Sequence, residues 1–306
     1  MNHISERVIG YAKRQWQLFR KSLMRQVIGA AALCLFAVLV LKIFGVVPPS
    51  AGPVGSSVSR VSIFYDPFGT NGTLYETAAI DDSRSPYWWL NSGAKMIIND
   101  GVATTVEGAL DSGDPWFRSY AKDNPTDTDG GRHPQNIFRL VTKDSWLDYI
   151  QEAYFKIDAL NLSSSPNRNE SNGLLLFNRY QDGDNLYYAG IRVDGAAVIK
   201  KKIHGIYYQM AYHSVFPGKY DRAKAPNLLP TNTWIGLRTI VYNDTSGGAT
   251  VKLYIDIGKT GNWTLAASAS DDGSGIGGAP IMASGHAGIR TDFMDVEFDD
   301  FKVTRI

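Results

Sequence analysis

Short stretches in which apolar and polar residues alternate recur from residue 95 to the C-terminus. Such period-2 patterning is typical of β-strands that bury one face. The stretches are Lys95–Ile98, Thr104–Leu110, Ile137–Thr142, Ile150–Leu160, Leu174–Tyr180, Leu186–Val193, Ala197–Lys202, Ile206–Ala211, Trp234–Val241, Thr250–Ile257, Thr264–Ala269, Gly288–Asp292 and Val296–Thr304. About a dozen strands joined by turns predict an all-β fold, a two-sheet antiparallel sandwich.

The last of these stretches predicts an irregular strand. Val296 and Phe298 lie on one side of an extended chain, whereas Phe301 and Val303 lie on the other. All four can face the core only if the strand carries one extra residue. The sequence therefore predicts a β-bulge at Asp299-Asp300.

A long apolar run near the N-terminus predicts one transmembrane helix. Val27–Val47 is VIGAAALCLFAVLVLKIFGVV, with Lys42 as its one charge. About 20 apolar residues are enough to cross the hydrocarbon core of a bilayer. Six Lys or Arg residues precede the run and the next basic residue after it is Arg60, which predicts a cytoplasmic N-terminus and an extracytoplasmic C-terminal part. A cleaved signal peptide is the alternative, but the preceding segment and the apolar run are both longer than usual, which favours an uncleaved signal anchor.

These features divide the chain into four parts. They are a basic cytoplasmic segment (1–26), the transmembrane signal anchor (27–47), a Pro/Gly/Ser-rich linker (48–60) and one β-sandwich domain (61–306).

The chain has 306 residues and a formal net charge of +1. That near-neutrality combines +6 over residues 1–50 with −5 over residues 51–306. The chain as a whole therefore lacks the excess of basic residues that would indicate a nucleic-acid partner. Cys34, the one cysteine, lies in the anchor, so the sandwich domain has neither disulfides nor a cysteine metal site.

Three motifs carry a family resemblance. Residues 173–210, GLLLFNRYQDGDNLYYAGIRVDGAAVIKKKIHGIYYQM, combine an apolar run, R-Y-x-D and N-x-Y-Y with two hairpins. Trp234–Arg238 supplies W-x-x-L-R, and residues 285–303, GHAGIRTDFMDVEFDDFKV, form the closing motif. The chain thus resembles concanavalin A-like, laminin-G-like jelly-roll domains. It is similar to the 3-keto-disaccharide hydrolase-like, polysaccharide-lyase-like and sugar-binding sandwiches. The resemblance implies a jelly-roll fold and a glycan or another cell-surface molecule as ligand.

Aromatic and basic side chains in the domain are candidates for binding such a glycan, because flat rings stack on sugars and cations attract acidic groups. The candidates are Trp88, Trp116, Arg179, Tyr187, Arg192, Lys200 and Tyr208. The basic run Lys200–Lys202 would suit an anionic glycan. The alternative interpretation is a set of core aromatics beside a solubilising edge strand.

Incomplete catalytic patterns leave an enzyme on the same fold as the alternative. A lyase of uronate-containing glycans needs a group that neutralises the carboxylate and a base that removes a proton. Arg139, Gln151 and Tyr188 are candidates for these roles. Glu297 lies between Asp295 and Asp299, and carboxylates two residues apart on a strand are separated by about 7 Å, as a glycoside hydrolase requires. The alternative interpretation of these acids is a solvated outer face.

An oxygen-rich loop makes structural calcium a further expectation. Asp127 and Asp129 lie in DNPTDTDGG, which supplies the hard ligands that Ca²⁺ prefers but lacks the EF-hand pattern. Asx-turns are the alternative interpretation.

Taken together, these features predict a single-pass membrane protein with an extracytoplasmic, lectin-like β-sandwich module that binds carbohydrate. A polysaccharide-active enzyme is the alternative, with a lyase preferred to a glycoside hydrolase. A structural role in cell-surface adhesion is the third interpretation.

Overall fold

The computed structural model describes residues 63–306, and within them it contains sixteen β-strands. The strands are β1 Ile63–Asp66, β2 Gly72–Tyr75, β3 Trp88–Ser92, β4 Lys95–Asn99, β5 Val102–Thr104, β6 Ile137–Trp146, β7 Tyr149–Leu160, β8 Gly173–Asp182, β9 Asn185–Arg192, β10 Ala196–Ile203, β11 Ile206–Ser214, β12 Ile235–Asn243, β13 Ala249–Ile257, β14 Thr264–Asp271, β15 Gly285–Asp292 and β16 Met294–Arg305. Each predicted strand stretch overlaps one of them. β1, β2 and β3 are additional to the prediction.

The strands form two antiparallel sheets. Sheet I has the order β14-β13-β12-β7-β16-β5-β4-β2, with β1 also paired to β16. Sheet II has the order β11-β10-β9-β8-β15-β6-β3. Six strand pairs join consecutive strands, whereas others join strands that are distant in sequence, as β8 beside β15 and β7 beside β16 show. This is the predicted two-sheet antiparallel jelly-roll sandwich, and the fold prediction is confirmed.

The main hydrophobic core lies between the two sheets. Strand alternation places Ala153, Phe155 and Ile157 of β7 in this core, where all three are fully buried. Lys156 and Asp158 point to the outer face of sheet I, because successive side chains of a strand face opposite ways.

The predicted bulge in β16 is confirmed. The pairing of β16 with β7 shifts register between Asp299 and Lys302, and Asp300 has a positive φ of 49°. The shift returns Phe301 and Val303 to the core side, and both are fully buried. The hydrophobic burial of two side chains thus determines the register of the whole strand.

One short α-helix, α1, extends from Pro115 to Asp123. Asp114 caps its N-terminus by accepting a hydrogen bond from the Trp116 backbone N–H at 2.8 Å, and Pro115 occupies the first helical position. The alternation analysis missed this helix because its nine residues span too few turns to show a helical period.

None of the helices within residues 63–306 is long and apolar enough to cross a membrane. The predicted anchor at 27–47, the basic segment 1–26 and the linker 48–60 lie outside the described residues.

Candidate functional site

Sheet II carries a cluster of basic and aromatic side chains on the face that points away from the main core. Strand parity explains the arrangement: on β8, Leu174 and Leu176 enter the core between the sheets, whereas Leu175 and Phe177 belong to a separate cluster on the outer side. We refer to this outer side of sheet II as the basic–aromatic face. Its polar and aromatic members are Arg139, Phe177, Tyr188, Arg192, Lys200, Lys202, Tyr207, Tyr212 and Arg290.

Two tyrosine rings form the centre of the face. The ring centroids of Tyr188 and Tyr207 are 5.7 Å apart, with an interplanar angle of 72°. The Nζ atom of Lys200 lies 5.9 Å from the Tyr188 centroid and 6.0 Å from the Tyr207 centroid. Lys202 Nζ lies 5.0 Å from the Tyr207 centroid. Each lysine is thus within the range of a cation–π contact, which positions the ammonium groups beside the rings.

Two arginines lie directly opposite each other beside these rings. Arg290 of β15 and Arg139 of β6 are register partners in the antiparallel pair. Arg290 Nε donates to Asp292 Oδ1 at 2.9 Å, and its Nη1 donates to the Tyr207 hydroxyl at 3.3 Å. Within residues 63–306, the Arg139 guanidinium makes neither a hydrogen bond nor an ion pair. The face therefore presents one engaged arginine and one with no protein partner in the described chain.

The crowding of cations changes the acidity of the groups among them. Burial and the positive charge of Arg290 lower the pKa of Arg139. Burial alone would raise the pKa of Tyr207, but the charges of Arg290, Lys202 and Arg139 and the hydrogen bond from Arg290 outweigh it and lower that pKa. Burial raises the pKa of Tyr188. Of the two central tyrosines, Tyr207 is the one whose environment favours the phenolate.

A shallow recess opens among these groups. Its lining comprises Arg139, Phe177, Tyr180, Gly183, Leu186, Tyr188, Tyr207 and Arg290. A ligand lying over this recess would meet one exposed phenol ring and two guanidinium groups, which suit a sugar that carries an oxygen-rich or anionic group.

A second group of the face lies toward the end of β9. Arg192 Nη2 forms an ion pair with Asp194 Oδ2 at 2.8 Å, and the Tyr212 hydroxyl donates to the same oxygen at 3.1 Å. The Arg192 guanidinium carbon lies 5.4 Å from the Tyr212 ring centroid. The structure thus brings four predicted site residues onto one face: Arg139, Tyr188, Arg192 and Lys200.

Three predicted carbohydrate-binding residues lie in the interior. Trp88 is 3% exposed, donates from Nε1 to Asp66 and packs edge-to-face on Phe301. Arg179 is fully buried and donates to the carbonyl of Ile281 at 2.7 Å. The Tyr187 hydroxyl donates to Asp271 in the interior. Their aromatic or cationic groups serve the fold and are not presented to a ligand.

The other two carbohydrate-binding candidates lie away from the face. Trp116 is part of α1, where its ring lies 6.4 Å from that of Tyr120. Tyr208 is the register partner of Lys201 and points to the opposite side of β11 from Tyr207. A Cβ added to Gly277 would lie 2.5 Å from its ring, so this tyrosine packs on a glycine-rich loop.

Two catalytic candidates are also separated from the face. Gln151 is fully buried, donates to the carbonyl of Phe177 at 3.2 Å and accepts from the Gly288 backbone N–H at 2.9 Å. It therefore links the two sheets. Glu297 lies on the outer face of sheet I, where Lys156 neutralises it through an ion pair of 2.5 Å.

The proposed calcium ligands take part in a hydrogen-bond network. Asp127 accepts from Ser165 Oγ at 2.6 Å and from Asn167 Nδ2 at 2.9 Å. Asp129 accepts from Ser163 Oγ at 2.5 Å and contacts His133 Nδ1 at 2.9 Å. Residues 63–306 contain no group of three or more His, Cys, Asp or Glu side chains placed to hold a metal ion. Calcium at this loop stays a prediction.

The predicted set of site residues did not include Tyr207, Tyr212 and Arg290, although Tyr207 and Tyr212 adjoin the basic run Lys200–Lys202 in the sequence. Hairpin register could have found Tyr207: the two-residue turn His204-Gly205 fixes Lys202 nearly opposite it. No local pattern could have found Arg290, because β15 reaches Arg139 only through a pairing between strands almost 150 residues apart.

Comparison with known proteins gives structural neighbours only. No family model and no curated protein matches the sequence. A carbohydrate-binding module from Bacillus subtilis is 15% identical and superposes with a TM-score of 0.37, covering 55% of this chain and 81% of its own. A Bacillus licheniformis β-glucanase is 9% identical, with a TM-score of 0.43, covering 80% and 98%. The alginate lyase from Aplysia kurodai is 9% identical, with a TM-score of 0.34, covering 76% and 98%. The functional argument therefore rests on the residues of this chain.

Proposed function

We propose that this protein binds carbohydrate on the basic–aromatic face of sheet II. The observation that carries the proposal is the convergence of tyrosine rings with cations around one recess. Tyr207, which is 45% exposed, offers apolar area to the C–H face of a sugar, and its hydroxyl offers a hydrogen bond to the sugar's rim; the buried Tyr188 supports its ring from below. Lys200, Arg139 and Arg290 add donors with fixed positions. An apolar surface with a few convergent polar groups is the usual composition of a small-molecule site.

The charge balance of the two outer faces supports the choice of sheet II. On sheet I, Glu297 pairs with Lys156, and Glu152 accepts from Arg238 at 2.7 Å. On sheet II, Lys200 has no ion pair within the described residues. Donors that the protein does not use are free to engage a ligand.

We further propose that this module is displayed outside the membrane by the apolar segment 27–47, as the sequence predicts. The excess of basic residues before that segment supports the orientation. Protease added to intact cells should remove the C-terminal domain and leave a protected N-terminal fragment. Full protection of the chain would contradict this topology.

The binding proposal is tested by affinity measurements on the full chain in mild detergent with a panel of neutral and acidic polysaccharides. Tyr207→Ala removes one exposed ring and should weaken binding about two- to twelvefold, since a lost aromatic contact costs about 0.5–1.5 kcal/mol. Tyr75→Ala, an exposed ring on sheet I, is the control and should leave the affinity unchanged. No binding to any polysaccharide would refute the proposal.

Tyr207 also favours a second candidate function, β-elimination of a uronate-containing glycan. Its hydroxyl accepts from Arg290, and the surrounding cations lower its pKa, as a base at this position requires. The phenolate would remove the proton on the carbon next to the uronate carboxylate, and the C–O bond to the leaving sugar would break as a C=C bond forms. The leaving oxygen would take a proton from the Tyr207 phenol so formed or from water. An unsaturated product, followed by ultraviolet absorbance, would establish this reaction. Tyr207→Phe should abolish it and Tyr212→Phe should not; no product from any uronate polymer would exclude it.

A further inference from the structure

The pairing of Arg139 with Arg290 leaves a local excess of positive charge on sheet II. Register partners in an antiparallel pair have Cβ atoms about 5 Å apart, and like charges in that position destabilise the sheet. Asp292 is the one acid near this pair, and it binds the Arg290 guanidinium. The charge of Arg139 has no counterpart among the described residues.

Two acids at the edges of the face are each engaged by a cation. Asp194 pairs with Arg192, and Asp184 pairs with Lys202 at 3.1 Å. Lys200 has no ion pair within the described residues. Two of the five cations, Lys200 and Arg139, are therefore left without a carboxylate from this part of the chain.

The second oxygen of Asp292 does not compensate for this excess. Asp292 is 3% exposed, and its Oδ2 atom has no hydrogen-bond partner within residues 63–306. The carboxylate therefore serves Arg290 through one oxygen and does not reach Arg139. An acceptor for Arg139 must come from outside the described chain.

An anionic ligand group would resolve this arrangement. An oxyanion between two guanidinium groups accepts charge-assisted hydrogen bonds from both and removes their mutual repulsion. Both arginines line one shallow recess, so a single charged group placed there can contact both guanidinium groups. Tyr207 lies at the same recess, is 45% exposed and can contact the sugar ring that bears the group.

We propose that Arg139 and Arg290 form an oxyanion subsite, so that the ligand of this face is an acidic glycan whose carboxylate or sulfate group lies between the two guanidinium groups. The inference rests on the proposed carbohydrate binding and specifies its substrate class. Uronates and sulfated sugars share this chemistry. Arginine suits both, because its planar fork matches carboxylate and sulfate oxygens.

The test compares four probes on the full chain in mild detergent: polygalacturonate, dextran sulfate, neutral dextran and vesicles of phosphatidylcholine with phosphatidylserine. The wild-type protein should bind at least one acidic polysaccharide at least tenfold more tightly than dextran. Arg139→Gln should remove that preference. Lys252→Gln, which removes one positive charge from β13 of sheet I, is the control and should keep it.

A stability measurement separates a ligand role from a structural one. Because Arg139→Gln relieves repulsion with Arg290, the variant should melt at the same temperature as the wild type or higher. The preferred acidic polysaccharide should raise the melting temperature of the wild type and leave that of Arg139→Gln unchanged. A variant that melts lower than the wild type and still prefers acidic polysaccharide would show that Arg139 is structural, and would refute the subsite.

The outcomes separate the subsite from the binding function. Equal binding of acidic and neutral polysaccharides, unchanged in Arg139→Gln, would overturn the subsite and leave carbohydrate binding in place. Binding to the anionic vesicles alone, lost in Arg139→Gln, would replace the glycan with a lipid and overturn both proposals. A response to polygalacturonate but not to dextran sulfate identifies the uronate, and the reverse identifies the sulfated sugar.

Discussion

At the residue scale, a buried ion pair shows how one lysine of a basic run can serve the fold. Lys201 and Asp271 are both fully buried and lie 2.9 Å apart. Lys201 Nζ also donates to the carbonyls of Gly278 and Ala279, at 2.8 and 2.7 Å, and the Tyr187 hydroxyl donates to Asp271. The pair thereby fastens the glycine-rich loop after β14 to sheet II. Such a pair is costly to bury and more costly to break.

Asp271→Asn should therefore destabilise the protein by about 3–5 kcal/mol, because it leaves the charge of Lys201 buried without a partner. Urea denaturation measures the change. Asp184→Asn is the matched control: it removes the partner of the neighbouring Lys202 at a site where the Asp184 side chain is 67% exposed, and it should cost less than about 1 kcal/mol. Equal losses in the two variants would contradict this account.

The ionisation of Tyr207 gives a second prediction at this scale. Arg290, Lys202 and Arg139 lower its pKa, so it should titrate before the other tyrosines of the face. Arg290→Gln removes both a positive charge and a hydrogen-bond donor and should raise the pKa of Tyr207. Nuclear magnetic resonance of ring-labelled tyrosine measures both values. An unchanged titration of Tyr207 in the variant would disprove the electrostatic argument.

At the scale of elements, one carboxylate connects the end of β2, the turn between β3 and β4, and α1. Glu76 Oε2 accepts from the Ala94 backbone N–H at 2.8 Å and from the Tyr120 hydroxyl. The Tyr120 oxygen in turn accepts from the Gly93 backbone N–H at 2.8 Å. The helix that the alternation pattern could not indicate is held to the sandwich by this chain of hydrogen bonds.

Burial raises the pKa of Glu76, and its hydrogen bonds offset this only in part. A carboxyl whose pKa is higher in the folded than in the unfolded state holds its proton more tightly when folded. Burial of the ionised carboxylate therefore lowers the free energy of unfolding by its full amount when the pH is above the pKa of the folded state. This loss disappears as the pH falls through that pKa. Relative to Glu76→Gln, the wild-type protein should thus gain stability as the pH falls from neutrality toward the ordinary pKa of a glutamate. Melting curves of both across this range provide the test, with exposed Glu107→Gln as control; a constant difference between wild type and Glu76→Gln would contradict it.

The elements also show where prediction from sequence ends. The β16 bulge was predictable, because four apolar residues with conflicting parity admit one solution. The sequence of β8 does not allow such a prediction. Its residues Gly173 to Tyr180 are all buried, so the alternation of side chains does not show which face of the strand points to the main core. Arg179 lies at an irregular point of β8, where its φ is +48°. For both reasons it could not be recognised from the sequence as an interior residue. Assigning it to a binding face from its charge alone missed the five hydrogen-bonding contacts that satisfy it inside.

At the scale of the whole molecule, the two sheets differ in how their charges are arranged. On the outer face of sheet I, several cations are paired with acids, as Lys156 is with Glu297 and Arg238 is with Glu152. Sheet II leaves cations without partners in the described chain around one recess. Composition could not reveal this difference, because a net charge of −5 over residues 51–306 describes the sum of both faces.

Structural calcium is a prediction that also belongs to this scale, since a metal bound by the loop around Asp127 would stabilise the entire sandwich. The prediction requires that a chelator lower the melting temperature and that added Ca²⁺ restore it. Asp127→Asn should remove the effect of the chelator. An unchanged melting temperature on chelation would contradict the calcium prediction and leave these carboxylates to their serine, asparagine and histidine partners.

The lysine run of β10 has a consequence for how this protein can change over time. Lys200 and Lys202 contact tyrosine rings of the basic–aromatic face, whereas Lys201 is held between an aspartate and two carbonyl groups. Substitutions at Lys200 and Lys202 can therefore change the ligand preference without loss of the fold, whereas Lys201 is required for folding. Among natural variants of this chain, we expect substitutions at Lys200 and Lys202 to be independent of the rest of the sequence. Substitutions at Lys201 should occur together with a change at Asp271.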